Sequence, residues 1–211
     1  MTHGAIFDLD GTLLDSMHVW EEADAAFLGE WGFETDERYL REVSQISMEE
    51  SAVYTIERYG LPLTPEAVMA RWQALVQAQY AKSVPLKPGA QALLRTLHKR
   101  GWRLGVATAL QKSLYEPCLR RLGIWEYFCA FAGVEETRDK AYPDIYLLTA
   151  ERMGVEPRHC VVFEDIAKGL RGAKGAGMQT VGVYDETSAY QWPEIQALAD
   201  RCVMSLEELC E

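Results

Sequence analysis

Positive charge is scarce in this sequence. Lysine and arginine total 21 against 32 aspartates and glutamates, a net charge of −11 over 211 residues. Broad binding to nucleic acid needs a basic face, so the balance argues against that class, though not against a local basic pocket. No apolar run approaches the ~20 residues of a membrane-spanning helix. Met1-Thr2-His3-Gly4 leads directly into Ala5-Ile6-Phe7, with no basic stretch followed by an apolar one, so no signal peptide is expected. The five cysteines (118, 129, 160, 202, 210) are odd in number and form no C-x-x-C pair, which excludes a zinc or dithiol redox motif. Free thiols in a reducing cytoplasm are the expectation. Internal repeats, low-complexity tracts and long linkers are absent too.

What is present is an ordinary globular composition, 48% apolar and 25% charged. At roughly 150 residues per domain, the length suits one domain with a large insertion. A chain of this size buries a core without disulfide or metal staples.

Four apolar runs read as buried strands: Ala5-Ile6-Phe7, Leu104-Gly105-Val106-Ala107, Cys160-Val161-Val162-Phe163 and Thr180-Val181-Gly182-Val183. Continuous rather than alternating apolar character predicts a parallel sheet covered on both faces. A helix is expected between each of the last three. Ala90, Leu93, Leu94 and Leu97 form a helical stripe closed by Gly101, and Leu170, Ala173 and Gly177 form a tighter one. This rhythm predicts an α/β fold with a doubly wound parallel sheet.

Residues 16–83 break the rhythm with helical patterns only. Trp20, Ala23, Phe27 and Trp31 share one helical face. Ser47-Met48-Glu49-Glu50 fits a capping box, and Val53, Ile56 and Tyr59 carry that helix to Gly60. Thr64-Pro65 is an N-cap followed by proline at the first helical position, and Val68, Trp72, Leu75 and Val76 give the next apolar face. A small helical domain over 15–84 is therefore expected, inserted into a core of 1–14 and 85–211, with Pro85 and Pro88 marking the return.

Three predicted strands end in polar residues that do not belong in a core: Asp8-Leu9-Asp10-Gly11-Thr12, Thr108, and Glu164-Asp165. In an open parallel sheet, ligands bind outside the carboxyl ends of the strands. Four carboxylates gathered there repel unless a cation joins them, and a hard divalent ion such as Mg²⁺ suits oxygen ligands. Singly, each piece has an ordinary explanation. Asp10-Gly11 is a common turn, and Glu164-Asp165 suits a helix N-terminus. Lys140 suits the solvated surface, and Asp144 after Pro143 is read as a first-turn acid. His159 is left unassigned. The combination is what carries information.

Together these residues resemble the haloacid dehalogenase superfamily of phosphatases, in the β-phosphoglucomutase-like subgroup with a helical cap. Asp8-Leu9-Asp10-Gly11-Thr12-Leu13, Thr108, Lys140-Ala141-Tyr142-Pro143-Asp144, and Glu164-Asp165 with Gly169 match four motifs in order across nearly the whole chain. The resemblance implies a Rossmann-like core and a cap that closes over the site. It implies Asp8 as nucleophile, forming an aspartyl-phosphate, and Asp10 as general acid and base. Mg²⁺ would be held by Asp8, the Asp10 carbonyl and Asp165, with Glu164 as an occasional ligand. Thr108, the backbone of Ala109, and Lys140 would hold phosphate oxygens. The chemistry agrees: a carboxylate of ordinary pKa about 3.9 is ionised at neutral pH and needs no activating base. Asp10 would need its pKa raised by about 3 units, roughly 4 kcal/mol, to be protonated at pH 7. Ile166 stands where the subgroup usually has serine, which removes a hydrogen-bonding partner but no ligand.

The expected activity is Mg²⁺-dependent hydrolysis of a small sugar or polyol phosphate by a cytoplasmic monomer, with no nucleic-acid or membrane partner. A mutase is the alternative. Family mutases carry a cap histidine and a substrate-loop arginine. Here Trp20 stands at the first position, with His18 two residues before it, and Ser44-Gln45-Ile46-Ser47-Met48-Glu49 has no basic residue at the second, leaving Arg41 or another cap residue to grip a second phosphate. Segment 41–51 is expected to face the site but names no substrate. A nucleotide-cofactor enzyme is disfavoured, because Gly172-Ala173-Lys174-Gly175-Ala176-Gly177 follows a helix instead of opening one. A dehalogenase would not need Asp10, and an idle binding protein would not need all of Asp8, Asp10, Thr108, Lys140 and Asp165.

Overall fold

The computed structural model describes residues 2–43 and 46–210. Ser44 and Gln45 of the expected substrate loop lie outside the described residues. In chain order the elements are β1 (Gly4–Phe7), α1 (Val19–Glu30), α2 (Glu37–Val43), α3 (Met48–Tyr59), α4 (Pro65–Lys82), α5 (Ala90–Lys99), β2 (Arg103–Thr108), α6 (Lys112–Arg121), β3 (Phe128–Gly133), α7 (Asp144–Met153), β4 (Cys160–Glu164), α8 (Ala167–Gly175), β5 (Gln179–Val183), α9 (Trp192–Leu198) and β6 (Arg201–Val203). They form two compact units, 1–17 with 84–211, and 18–83.

In the first unit a parallel sheet runs β3-β2-β1-β4-β5-β6. Its order reverses beside β1, which pairs with β2 on one side and β4 on the other. Such a switch point opens a crevice at the carboxyl ends of the strands. Every β1 residue is buried, and Ile6 and Phe7 are wholly so. Burying each such side chain contributes about 1.5–3 kcal/mol, which pins β1 at the centre. The β1 exit and the segment entering α5 are bonded to each other, Asp15 N to Pro85 O and Lys87 N to Leu13 O. The stretch between β2 and β4 holds more than the one expected helix: α6, β3 and α7 all lie there.

The second unit packs α1 to α4 around Phe27, Leu28, Tyr39, Ala52, Leu61, Val68 and Trp72. The capping box at Ser47 and Glu50 is formed, Gly60 closes α3 in the left-handed conformation, and Thr64 caps α4 with Pro65 at its start. Ala23 and Phe27 are buried as the periodicity predicts, but Trp20 and Trp31 are each 40% exposed. Trp31 lies past the end of α1, where the helical period no longer applies. Val53 is likewise exposed on α3. Its neighbours Ala52 and Thr55 supply the buried face, smaller and more polar than the apolar stripe suggested.

Candidate active site

The residues that end β1 are held by backbone bonds before any side chain acts. The Asp8 amide donates to the Phe163 carbonyl at 3.1 Å, extending the β1–β4 pairing by one step. The chain then turns tightly, with the Leu9 carbonyl accepting from the amides of Thr12, Leu13 and Leu14. Gly11 makes the turn at φ +76°, and a Cβ there would strike the Asp165 carboxylate, so glycine is required on two counts. The Thr12 hydroxyl donates to Asp165 Oδ1 at 3.1 Å, tying the β1 turn to the end of β4.

Asp8, Glu164 and Asp165 are 7%, 0% and 2% exposed. Each presents a carboxylate oxygen, and these lie within 4.8 Å of one another. Lys140, in the segment before α7, is buried against them. Its Nζ is 2.6 Å from Asp8 Oδ1 and 2.5 Å from Glu164 Oε1. The Tyr146 hydroxyl, on α7, donates to the same Glu164 oxygen at 2.8 Å. The other, Oε2, is buried without a hydrogen-bond partner.

Three buried carboxylates against one ammonium leave negative charge uncompensated. Burial would depress the Lys140 ammonium, but Asp8 and Glu164 outweigh it and hold it above the ordinary lysine range. Burial pushes Glu164 up to about 7, with Lys140 pulling it back and Asp8 adding to the rise. Burial, then the charges of Asp8 and Glu164, also hold Asp165 well above the carboxylate range. The strain of this cluster and the bare Glu164 oxygen both fit a divalent cation, and an all-oxygen donor set suits a hard ion.

The remaining expected residues lie around this cluster. Thr108 ends β2 and is buried; its Oγ1 accepts from the Leu110 amide at 3.0 Å, which leaves its proton for another acceptor. Ala109 follows in an exposed bend. The Asp10 carboxylate does not join the group of three: its Oδ1 accepts from the Ser16 hydroxyl at 2.6 Å. Asp144 opens α7 and pairs with Arg138 at 2.5 Å, as suits a first-turn acid. Tyr146 and Ser16 were not singled out by sequence. Each is an ordinary residue type outside any spacing pattern, and only the fold brings it to a carboxylate. Gly169 has its place because a Cβ there would collide with the Glu164 carboxylate.

The chain is similar to known proteins. A family model described as haloacid dehalogenase-like hydrolase matches residues 2–177. Fructose-1-phosphate phosphatase YqaB of Escherichia coli is 33% identical over 181 residues, covering 85% of this chain and 95% of that protein. Hexitol phosphatase B of Escherichia coli is 30% identical, covering 97% and 93%. The crystal structure of CbbY from Rhodobacter sphaeroides in complex with phosphate superposes with a TM-score of 0.78 at 27% identity, covering 99% of this chain and 96% of that one.

Proposed function

We propose, from the premise that the chain belongs to the haloacid dehalogenase-like hydrolases, that it is a Mg²⁺-dependent phosphatase of sugar or polyol phosphates. The observation that carries this reading is the buried group of Asp8, Glu164 and Asp165 around Lys140, with Glu164 Oε2 left bare. We assign catalysis to the unit 1–17 and 84–211, which contains every one of these groups, and substrate selection to the helical unit 18–83.

Mg²⁺ would be held by Asp8, Asp165 and the Asp10 carbonyl, with Glu164 beside them. When bound it neutralises the repulsion between the Asp8 carboxylate and a phosphate dianion. Asp8 attacks phosphorus, forming an aspartyl-phosphate as the bond to the substrate oxygen breaks. Lys140 and the Thr108 hydroxyl, with the Ala109 backbone, hold the other phosphate oxygens and stabilise their charge during transfer. Asp10 gives its proton to the leaving oxygen, then takes one from the water that hydrolyses the aspartyl-phosphate. Ser16, donating to Asp10 Oδ1, fixes the plane of that carboxyl group.

The test is phosphate release from p-nitrophenyl phosphate and from fructose and hexitol phosphates, with and without Mg²⁺, for the wild type and Asp8→Asn. Turnover that needs Mg²⁺ and falls below about one per cent in the variant is expected for a lost covalent nucleophile. Metal-independent turnover, or an active Asp8→Asn, would overturn the reading.

A further inference from the structure

The turn after β4 is held by a second segment, from Tyr184 to Gln191, that follows β5. Pairing between β4 and β5 ends at Glu164 and Gly182. Asp165 is one residue beyond the ladder and 2% exposed, so its backbone carbonyl needs a donor from elsewhere. The Ser188 hydroxyl is that donor, at 2.9 Å, with a longer contact of 3.3 Å to the Asp185 carbonyl. Two residues on, the Ala167 amide opens α8, a helix whose N-cap residue Ile166 makes no side-chain cap. Gln191 supplies the missing acceptor: the Ala167 amide donates to its Oε1 at 3.2 Å.

The segment that provides both groups is itself anchored. Lys87 Nζ donates to the Tyr184 carbonyl at 3.0 Å and to Asp185 Oδ2 at 2.7 Å. Asp185 Oδ1 accepts from the Thr187 amide and hydroxyl at 2.9 and 2.5 Å. Ser188 is therefore fixed from its own side, and it meets Asp165 at the opposite end from Thr12, which grips the carboxylate. The carbonyl and the carboxylate of Asp165 are thus held by different elements.

We infer that Ser188, seconded by Gln191, is a positioning residue that presets Asp165 for the divalent cation. This rests on the metal-site reading above. Ligands held in place by outer partners bind metal more tightly, because less order is lost on binding.

The experiment compares wild type, Ser188→Ala and Ser188→Thr by calorimetric titration with Mg²⁺ and by the Mg²⁺ dependence of p-nitrophenyl phosphate hydrolysis. Loss of the hydroxyl should raise the Mg²⁺ dissociation constant about tenfold, the lower end of the range for outer partners, with kcat at saturating Mg²⁺ changed far less. Threonine keeps the hydroxyl and should restore near wild-type affinity. Thr149→Val removes a buried hydroxyl bonded within α7, and it should lower thermal stability without moving Mg²⁺ affinity. If Ser188→Ala loses stability as Thr149→Val does and still binds Mg²⁺ like the wild type, the inference is overturned. Should Ser188→Ala fail to fold, Gln191→Met breaks the same clamp at Ala167. A several-fold weaker Mg²⁺ affinity there supports the inference, and an unchanged one overturns it. A wild type that gives no Mg²⁺ heat and needs no Mg²⁺ would remove the site reading and this inference together, before any variant is compared.

Discussion

Lys140 and Glu164 meet through a single oxygen: Nζ lies 2.5 Å from Oε1, while Oε2 of the same carboxylate has no hydrogen-bond partner. The lysine thus balances one side of Glu164 and, 2.6 Å away, Asp8. Removing one partner of a buried ion pair leaves the other charge uncompensated, which typically costs about 3–5 kcal/mol. Lys140→Met should therefore abolish turnover and lower the melting temperature. Added Mg²⁺ should restore more stability to this variant than to the wild type, since the cation would replace the missing charge. Thermal melts of both proteins with Mg²⁺ and with chelator check this; an equal Mg²⁺ shift in both would refute it.

Two glycines of one helix should respond oppositely to alanine. At Gly169 a Cβ would collide with the carboxylate of Glu164, whereas at Gly175 its nearest neighbour is Pro143 Cβ at 3.8 Å, an ordinary contact. Alanine in a helix is favoured over glycine by about 0.5–1 kcal/mol where space allows. Gly175→Ala should keep full activity and be as stable as the wild type or slightly more so. Gly169→Ala should lose at least tenfold in activity by displacing Glu164, an effect in the range seen when metal-site partners are disturbed. Steady-state rates and urea unfolding of the two variants settle the contrast.

Much of this site is legible because chemistry is concentrated in short segments. Asp8 to Thr12 sit directly after an apolar run, and Glu164-Asp165 directly after another, so strand ends and acids coincide in sequence. Strands β3 and β6 were not anticipated. Phe128-Cys129-Ala130-Phe131-Ala132-Gly133 lacks the β-branched residues that mark a strand, and β6 has three residues beginning with an exposed arginine. Tyr146, Ser16 and Ser188 reach the site only through tertiary placement, with no local spacing to reveal them. Trp20 is the opposite case: it obeys the helical period within α1 yet remains exposed, while Trp31 falls just past the helix end.

The helical unit holds a titratable chain of its own. Asp24 Oδ1 and the Tyr39 hydroxyl are 3.0 Å apart, Tyr39 is 3.0 Å from Thr55 Oγ1, and Thr55 donates to the Ser51 carbonyl at 2.7 Å. The Tyr39 hydroxyl donates to Asp24, a carboxylate that is itself mostly withdrawn from water. Burial pushes Asp24 up to about 6, with the Tyr39 bond pulling down and Glu21 adding to the rise. The folded pKa exceeds the unfolded one, so the stabilisation is complete below about pH 4 and is lost as pH rises to about 6. From 1.36 kcal/mol per unit, the loss is at most about 3 kcal/mol. Asp24→Asn keeps an acceptor oxygen for the Tyr39 hydroxyl and never ionises. Denaturant unfolding should show it more stable than the wild type at pH 8 and without the fall between pH 4 and 6; a parallel pH profile would refute the assignment.

Hydrolysis rather than isomerisation should dominate at the active site. A mutase must return its phosphoryl group to a bound sugar bisphosphate faster than water removes it, and so needs cationic groups for the second phosphate. On α1, Trp20 cannot carry charge, and His18, just before the helix, lies 3.9 Å from Glu22, both side chains exposed. From Ile46 to Glu49 there is no basic side chain, and Met48 cannot make the bidentate contact of an arginine with phosphate. Incubated with β-glucose 1-phosphate, Mg²⁺ and a trace of the bisphosphate, the protein should release inorganic phosphate, with little or no glucose 6-phosphate. A coupled dehydrogenase assay run beside a phosphate assay separates the two products. Glucose 6-phosphate forming much faster than free phosphate would replace the hydrolase with a phosphotransferase, while the roles proposed for Asp8, Asp10 and Lys140 would carry over to the first half of either reaction.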